Sequence, residues 1–121
     1  MVKRILIVDD EETLTFSLYQ SFILSRYPYE VVTAGSGEEA LQKFNEKPFD
    51  LIITDIFLPG ISGIDILKYI REKIPEAKVI IITAYGSEEK REEALRNGAL
   101  LYIEKPFDII EFKQKVMEIL E

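Results

Sequence analysis

The chain has 121 residues, 22 acidic and 15 basic side chains for a formal net charge of −7, and no cysteine, histidine or tryptophan. One hydrophobic core is expected at this length, and a chain that is 47% hydrophobic is too apolar to stay disordered. The missing residue types exclude a disulfide framework, a thiolate nucleophile, a Cys-based zinc site, a Ser-His-Asp triad and an imidazole base, while the acid surplus opposes direct nucleic acid contact.

The first apolar run, Ile5 to Val8, follows Lys3-Arg4 and is stopped by Asp9-Asp10. It is far too short for the apolar segment of a signal peptide, and no stretch of the chain approaches the length of a membrane span. A cytoplasmic setting is therefore expected. Leu14, Leu18 and Phe22, with Ile23, then recur at helical spacing before Tyr27-Pro28, and Asp9 or Asp10 is a candidate cap for that helix. A weaker strand, Val31 to Ala34, runs into Gly35; Ser36 and Glu39 form a capping-box pattern ahead of Ala40, Leu41 and Phe44.

Leu51 to Thr54 is the third strand and ends at Asp55, followed by Leu58-Pro59-Gly60 and by Ile64, Leu67 and Ile70, with Ile66 and Ile74, as a helix closed by Pro75. Val79 to Ile82 forms the fourth strand and ends at Thr83. The stretch from Ser87 to Asn97 is helical, with only Ala94 and Leu95 apolar and Asn97-Gly98 as its stop. Leu100 to Ile103 is the fifth strand, before Glu104-Lys105-Pro106. Asp108 caps a last helix whose stripe is Ile109, Phe112, Val116, Ile119 and Leu120.

Strand and helix alternate five times, which predicts an α/β fold: a single (βα)5 flavodoxin-like domain over residues 1–121, with a parallel five-stranded sheet in the order 2-1-3-4-5 and helices on both faces. The runs are β-branched and do not alternate, as strands buried on both faces require. In such a sheet the ligand crevice lies at the carboxyl ends of the strands, beside the first and third. Those ends carry Asp9, Asp10 and Asp55; the fourth and fifth strands bring Thr83 and Lys105 to the same edge.

Each of these residues has an ordinary use when taken alone, as a helix cap, a turn residue, a strand residue or a solvated lysine. Their convergence on one edge is what points to chemistry. Two like charges 4 Å apart repel by about 4 kcal/mol at an effective dielectric near 20, so three clustered carboxylates call for a cation. Oxygen ligands alone suit Mg²⁺, with Mn²⁺ an admissible substitute. An aspartate can accept a phosphoryl group, and a hydroxyl and an ammonium can hold its oxygens, so the set reads as metal-dependent phosphoryl acceptance.

Asp9-Asp10-Glu11-Glu12, Asp55 with Pro59 and Gly63, Thr83-Ala84, and Lys105-Pro106-Phe107 together resemble the receiver domain of bacterial two-component response regulators, from Lys3 to Leu120. The resemblance implies that Asp55 is the phosphoacceptor, and that Asp10 binds Mg²⁺ directly, Asp9 mainly through water, and the Phe57 backbone carbonyl completes the set. It further implies that Thr83 and Lys105 contact phosphoryl oxygens, that the Lys105–Pro106 bond is cis, and that Tyr102 is a switch aromatic. In that pattern Thr83 and Tyr102 reshape the face of the fourth helix, fifth strand and fifth helix, through which a homodimer or an effector is engaged.

The implied partner is a histidine kinase or histidine phosphotransfer protein, docked on the first helix near Leu14 and Ser17. Phe57 and Tyr85 flank the path of an attacking water, and neither brings a carboxamide or carboxylate to orient it, so a long-lived phosphoryl group is expected. Three other readings fit less well. A phosphohydrolase of the haloacid dehalogenase type would have an Asp where Phe57 stands, a degenerate dimerisation module would not need the full acidic set, and a flavodoxin-like FMN carrier would need a Ser/Thr-Gly-rich loop after the first strand.

Overall fold

Each apolar run of the central strands feeds two cores at once. The computed structural model describes residues 2–121. Its strands are β1 (Lys3–Val8), β2 (Tyr29–Ala34), β3 (Leu51–Asp55), β4 (Val79–Thr83) and β5 (Leu101–Glu104). They alternate with helices α1 (Glu12–Ile23), α2 (Gly37–Glu46), α3 (Gly63–Lys73), α4 (Glu88–Arg96) and α5 (Ile109–Leu120). All pairings are parallel and the order is β2-β1-β3-β4-β5, the flavodoxin-like order that the alternation predicts.

Successive side chains of a strand point to opposite faces. Leu6, Val8, Ile52 and Ile81 accordingly pack on α2, α3 and α4 through Ala40, Phe44, Ile64, Leu67, Ile70 and Ala94. Ile5, Ile7, Ile53, Ile80 and Ile82 pack on α1 and α5 through Leu18, Phe22, Phe112 and Val116. Each buried aliphatic side chain contributes about 1.5–3 kcal/mol relative to exposure. The sheet is thereby fixed from both sides, and its carboxyl edge becomes a rigid base for a site.

Four helices are capped as side-chain chemistry dictates: Ser36, Ser62, Ser87 and Asp108 accept hydrogen bonds from the amides of Glu39, Asp65, Lys90 and Glu111. Two details depart from the sequence reading. Glu39 turns back to accept from the Gly35 amide at 2.7 Å, one residue before the cap, so the box is stretched by a residue. Neither Asp9 nor Asp10 caps α1. Glu11 occupies that position without a side-chain bond, and Asp9 instead accepts from the Glu11 amide at 2.9 Å.

Leu95 and Leu100 are partly exposed, leaving Ala94 as the buried residue of α4. A helix so thinly anchored lies toward the low-stability end of the molecule.

On the α1/α5 side, Tyr29 meets Phe22 edge-on at 6.1 Å and its hydroxyl donates to Glu121 Oε2 at 3.1 Å. Burial first, then the Glu121 carboxylate, pushes the Tyr29 hydroxyl from 10.0 up to about 12. A tyrosine kept protonated by the fold contributes stability that is complete below its unfolded pKa and is lost as the pH rises through the folded one. Unfolding stability should therefore fall between pH 10.0 and about 12, and Tyr29→Phe should remove this part of the fall. Urea denaturation below and within the window checks it; parallel curves for the two proteins would contradict it.

Candidate functional site

The register of the sheet sets the site. Val8 lies opposite Thr54, so Asp9 and Asp55 emerge level with one another, one residue further on. Asp55 pairs with Ile82 and Thr83 with Glu104, which brings Thr83 and the following Lys105 to the same edge. The Lys105 amide donates to the Thr83 carbonyl at 2.8 Å, and the Lys105–Pro106 bond is cis. On the other side, α3 closes tightly behind Asp55. The Gly63 amide donates to the Ile56 carbonyl at 2.8 Å, and a Cβ on Gly63 would collide with the Asp55 carbonyl oxygen. Only glycine lets the helix start so close to the strand.

Asp9 and Asp55 are buried and Asp10 is exposed; one carboxylate oxygen from each lies within 4.8 Å of the others. The crowding is offset by the chain's own cation. Lys105 Nζ donates to Asp9 Oδ2 at 2.7 Å and to Asp55 Oδ2 at 2.9 Å, with Glu11 Oε1 3.8 Å away. The second oxygens are held by backbone: Asp9 Oδ1 by the Glu11 amide at 2.9 Å and Asp55 Oδ1 by the Phe57 amide at 3.2 Å.

Burial raises the Asp9 carboxyl above its ordinary value, outweighing the opposing pull of Lys105 and the Glu11 amide. For Lys105, burial alone would lower the ammonium, but the hydrogen bonds and charges of Asp9 and Asp55 more than compensate and raise it. Beside the cation that the cluster calls for, the chain's own ammonium already bridges two of the carboxylates.

The donor set is all oxygen, and Asp10 takes part in no ion pair among the described residues, so the cluster fits a hard divalent cation. Such an ion would draw on carboxylates that Lys105 also uses.

Thr83 is fully buried, and its Oγ1 accepts from the Tyr85 amide at 3.2 Å, which leaves the hydroxyl proton free to be donated. Phe57 and Tyr85, two residues past Asp55 and Thr83, are exposed, and their rings meet edge to face at 6.2 Å and 75°. Tyr102 is set back on β5. Its hydroxyl is buried without a hydrogen-bond partner, and burial raises its pKa. The edge therefore gathers Asp9, Asp10, Asp55 and Lys105 in contact range, with Thr83, Phe57 and Tyr85 around them and Tyr102 behind. Sequence reasoning gave Glu11 no role of its own. Its place beside the acidic pair was the available signal, and its nearness to Lys105 needed the fold.

A family model described as the response regulator receiver domain matches residues 5–117. The chain is 38% identical over 120 residues to the alkaline phosphatase synthesis transcriptional regulatory protein PhoP of Bacillus subtilis, covering 99% of this chain and 49% of that protein. It is 36% identical over 120 residues to sporulation initiation phosphotransferase F of the same organism, covering 99% and 95% respectively. A chain in the crystal structure of the CheX–CheY–BeF3–Mg+2 complex from Borrelia burgdorferi superposes with a TM-score of 0.87 at 34% identity, covering 98% of this chain and 90% of that one. The chain spans 49% of PhoP and about a quarter of several other curated relatives.

Proposed function

The chain belongs to the response regulator receiver domain family, and from that membership we propose that Asp55 is its phosphoacceptor. The donor is a phosphohistidine on a histidine kinase or histidine phosphotransfer protein. The observation that carries this reading is the meeting of Asp55 with Asp9 and Asp10 within 4.8 Å and with the Lys105 ammonium at 2.9 Å. These 121 residues hold no histidine, so the donor imidazole lies outside them. A cytoplasmic setting accords with such a donor, and among the described residues no helix is long and apolar enough to cross a membrane.

In the transfer, an Asp55 carboxylate oxygen attacks phosphorus, the P–N bond to the donor imidazole breaks, and its electron pair leaves with the ring nitrogen. Lys105, already on Asp55, follows the charge onto the phosphoryl oxygens, and the free proton of the Thr83 hydroxyl is donated to another. Mg²⁺ held by Asp9, Asp10, Asp55 and the Phe57 carbonyl would neutralise charge on those oxygens, and one structural neighbour was crystallised in a complex that contains it.

The domain is thus an acceptor that assists its own phosphorylation rather than an enzyme with a separate substrate. Its phosphoryl state is read through Thr83 and Tyr102 at the α4–β5–α5 face, by a second copy or an effector. The name of the Bacillus subtilis phosphotransferase supports a phosphorelay role.

Incubation with acetyl phosphate, with and without Mg²⁺, tests the reading. One acid-stable, base-labile phosphoryl group should form only with the metal; no adduct, or a metal-independent one, would refute it.

Loss of that group should be slow. Hydrolysis needs a water lined up behind phosphorus, and Phe57 and Tyr85, the two residues that flank that path, pack on each other and offer no carboxylate or carboxamide to orient it. Phe57→Asn with Tyr85→Glu should shorten the half-life of the acyl phosphate by about 100-fold, the lower end of general-base effects. A half-life unchanged in the double variant would sink the idea.

A further inference from the structure

Tyr102 lies on β5, and its ring packs onto the core that includes Ala94 and Ala99. Its hydroxyl is the only buried side-chain nitrogen or oxygen among the described residues without a hydrogen-bond partner. That oxygen rests directly against Gly86, in the connection from β4 to α4. A Cβ on Gly86 would overlap the hydroxyl and come within 3.2 Å of Tyr102 Cζ and 3.1 Å of Thr83 Cγ2. The Gly86 backbone itself does not call for glycine, since only Gly60 and Gly98 have positive φ. What calls for it is the tyrosine.

We propose that Gly86 is a positioning residue for Tyr102: the side chain it lacks is the space that the inward tyrosine fills. The seat is open but not locked, because the hydroxyl that enters it meets only the nearby Ser87 backbone amide, without a well-formed hydrogen bond. Filling the space would move the ring rather than the backbone. Tyrosine turns about two side-chain torsions, and β5 is an edge strand with solvent beyond it. Gly86, by contrast, is tied to Ser87, whose hydroxyl caps α4 by accepting from the Lys90 amide at 3.1 Å. Displacing the backbone would undo the cap of a helix whose one buried residue is Ala94. The residue at 86 therefore governs whether Tyr102 is withdrawn from, or presented on, the α4–β5–α5 face. The consequence for signalling rests on the receiver reading above; the seat does not.

Solvent paramagnetic relaxation of the tyrosine ring protons by a soluble nitroxide tests this, with the Tyr102 signals assigned by their loss in Tyr102→Phe. In the wild-type chain these protons should be protected, and in Gly86→Ala their relaxation should rise several-fold toward that of exposed Tyr85. Gly86→Ala should also lower the melting temperature, and the loss should vanish when Tyr102→Ala removes the ring. Should Gly86→Ala fail to fold alone, folding of the double variant supports the seat. Protected Tyr102 protons in Gly86→Ala would overturn it, as would a melting loss that persists undiminished without the ring. Acetyl phosphate labelling of the wild-type chain runs in parallel: absence of an adduct there overturns the phosphoacceptor reading and leaves the relaxation result standing.

Discussion

Asp55→Ala is expected to take up no phosphoryl group from acetyl phosphate and Mg²⁺, under conditions in which the wild-type chain takes up one. The loss should be complete within detection, at least about a thousandfold, because the proposed nucleophile itself is gone and positioning has nothing left to act upon. No neighbour stands ready to replace it. Asp9 is 3% exposed and both its oxygens are engaged, one by Lys105 and one by the Glu11 amide. Asp10 is exposed and has no ion pair with Lys105. The variant should remain folded, since Lys105 keeps Asp9 at 2.7 Å and no buried charge is left alone. Intact-mass analysis of the two proteins decides the matter; an equal adduct on the variant would place the acceptor elsewhere.

Lys105→Met should produce the largest change in stability. The Asp9 side chain is 0% and the Asp55 side chain 9% exposed, so removal of the ammonium leaves two carboxylates buried against one another without their cation. Loss of one member of a buried charged cluster costs about 3–5 kcal/mol. The same change frees both carboxylates for a metal, and the affinity for Mg²⁺ should rise on the order of tenfold, about 1.4 kcal/mol. Mg²⁺ should then return much of the lost stability by mass action.

Asp10→Asn is the counterpart. Exposed and outside the ion pairs, it should change the metal-free protein by less than about 1 kcal/mol while abolishing the metal response. Urea denaturation across a Mg²⁺ titration measures all three proteins. Equal Mg²⁺ responses in wild type and Lys105→Met would show that the ammonium does not compete with the metal.

The fold was legible because its strands are buried on both faces. Ile5 to Val8 and Val79 to Ile82 are uninterrupted apolar runs that only a covered parallel sheet explains, and each stops within a residue of the observed strand end. The same stops exposed the site: Asp9, Asp55, Thr83 and Lys105 stand where the apolar runs give out. What the sequence left hidden was set by contacts between distant residues. Asp9 and Lys105 are 96 positions apart, and nothing local to either says that one lysine would bridge two carboxylates. The unused cap at α1 follows from the same cause, since Asp9 is turned toward the lysine. Leu95 is one of two apolar positions in its helix, yet α4 buries only Ala94 fully and leaves Leu95 partly exposed. Gly86 drew no notice in the sequence, because its neighbour, the Tyr102 ring, is sixteen positions away and only the fold brings it near.

The edge-to-face pair of Phe57 and Tyr85 gives the molecule a built-in optical probe. The chain has six tyrosines and no tryptophan to mask their ultraviolet emission. Among the described residues, Tyr85 alone of these six rings packs on Phe57, two positions past Asp55. Any occupant that parts or tightens these two rings alters the surroundings of a natural fluorophore, so filling of the crevice should be visible by eye of a spectrometer alone, in real time and on unlabelled protein.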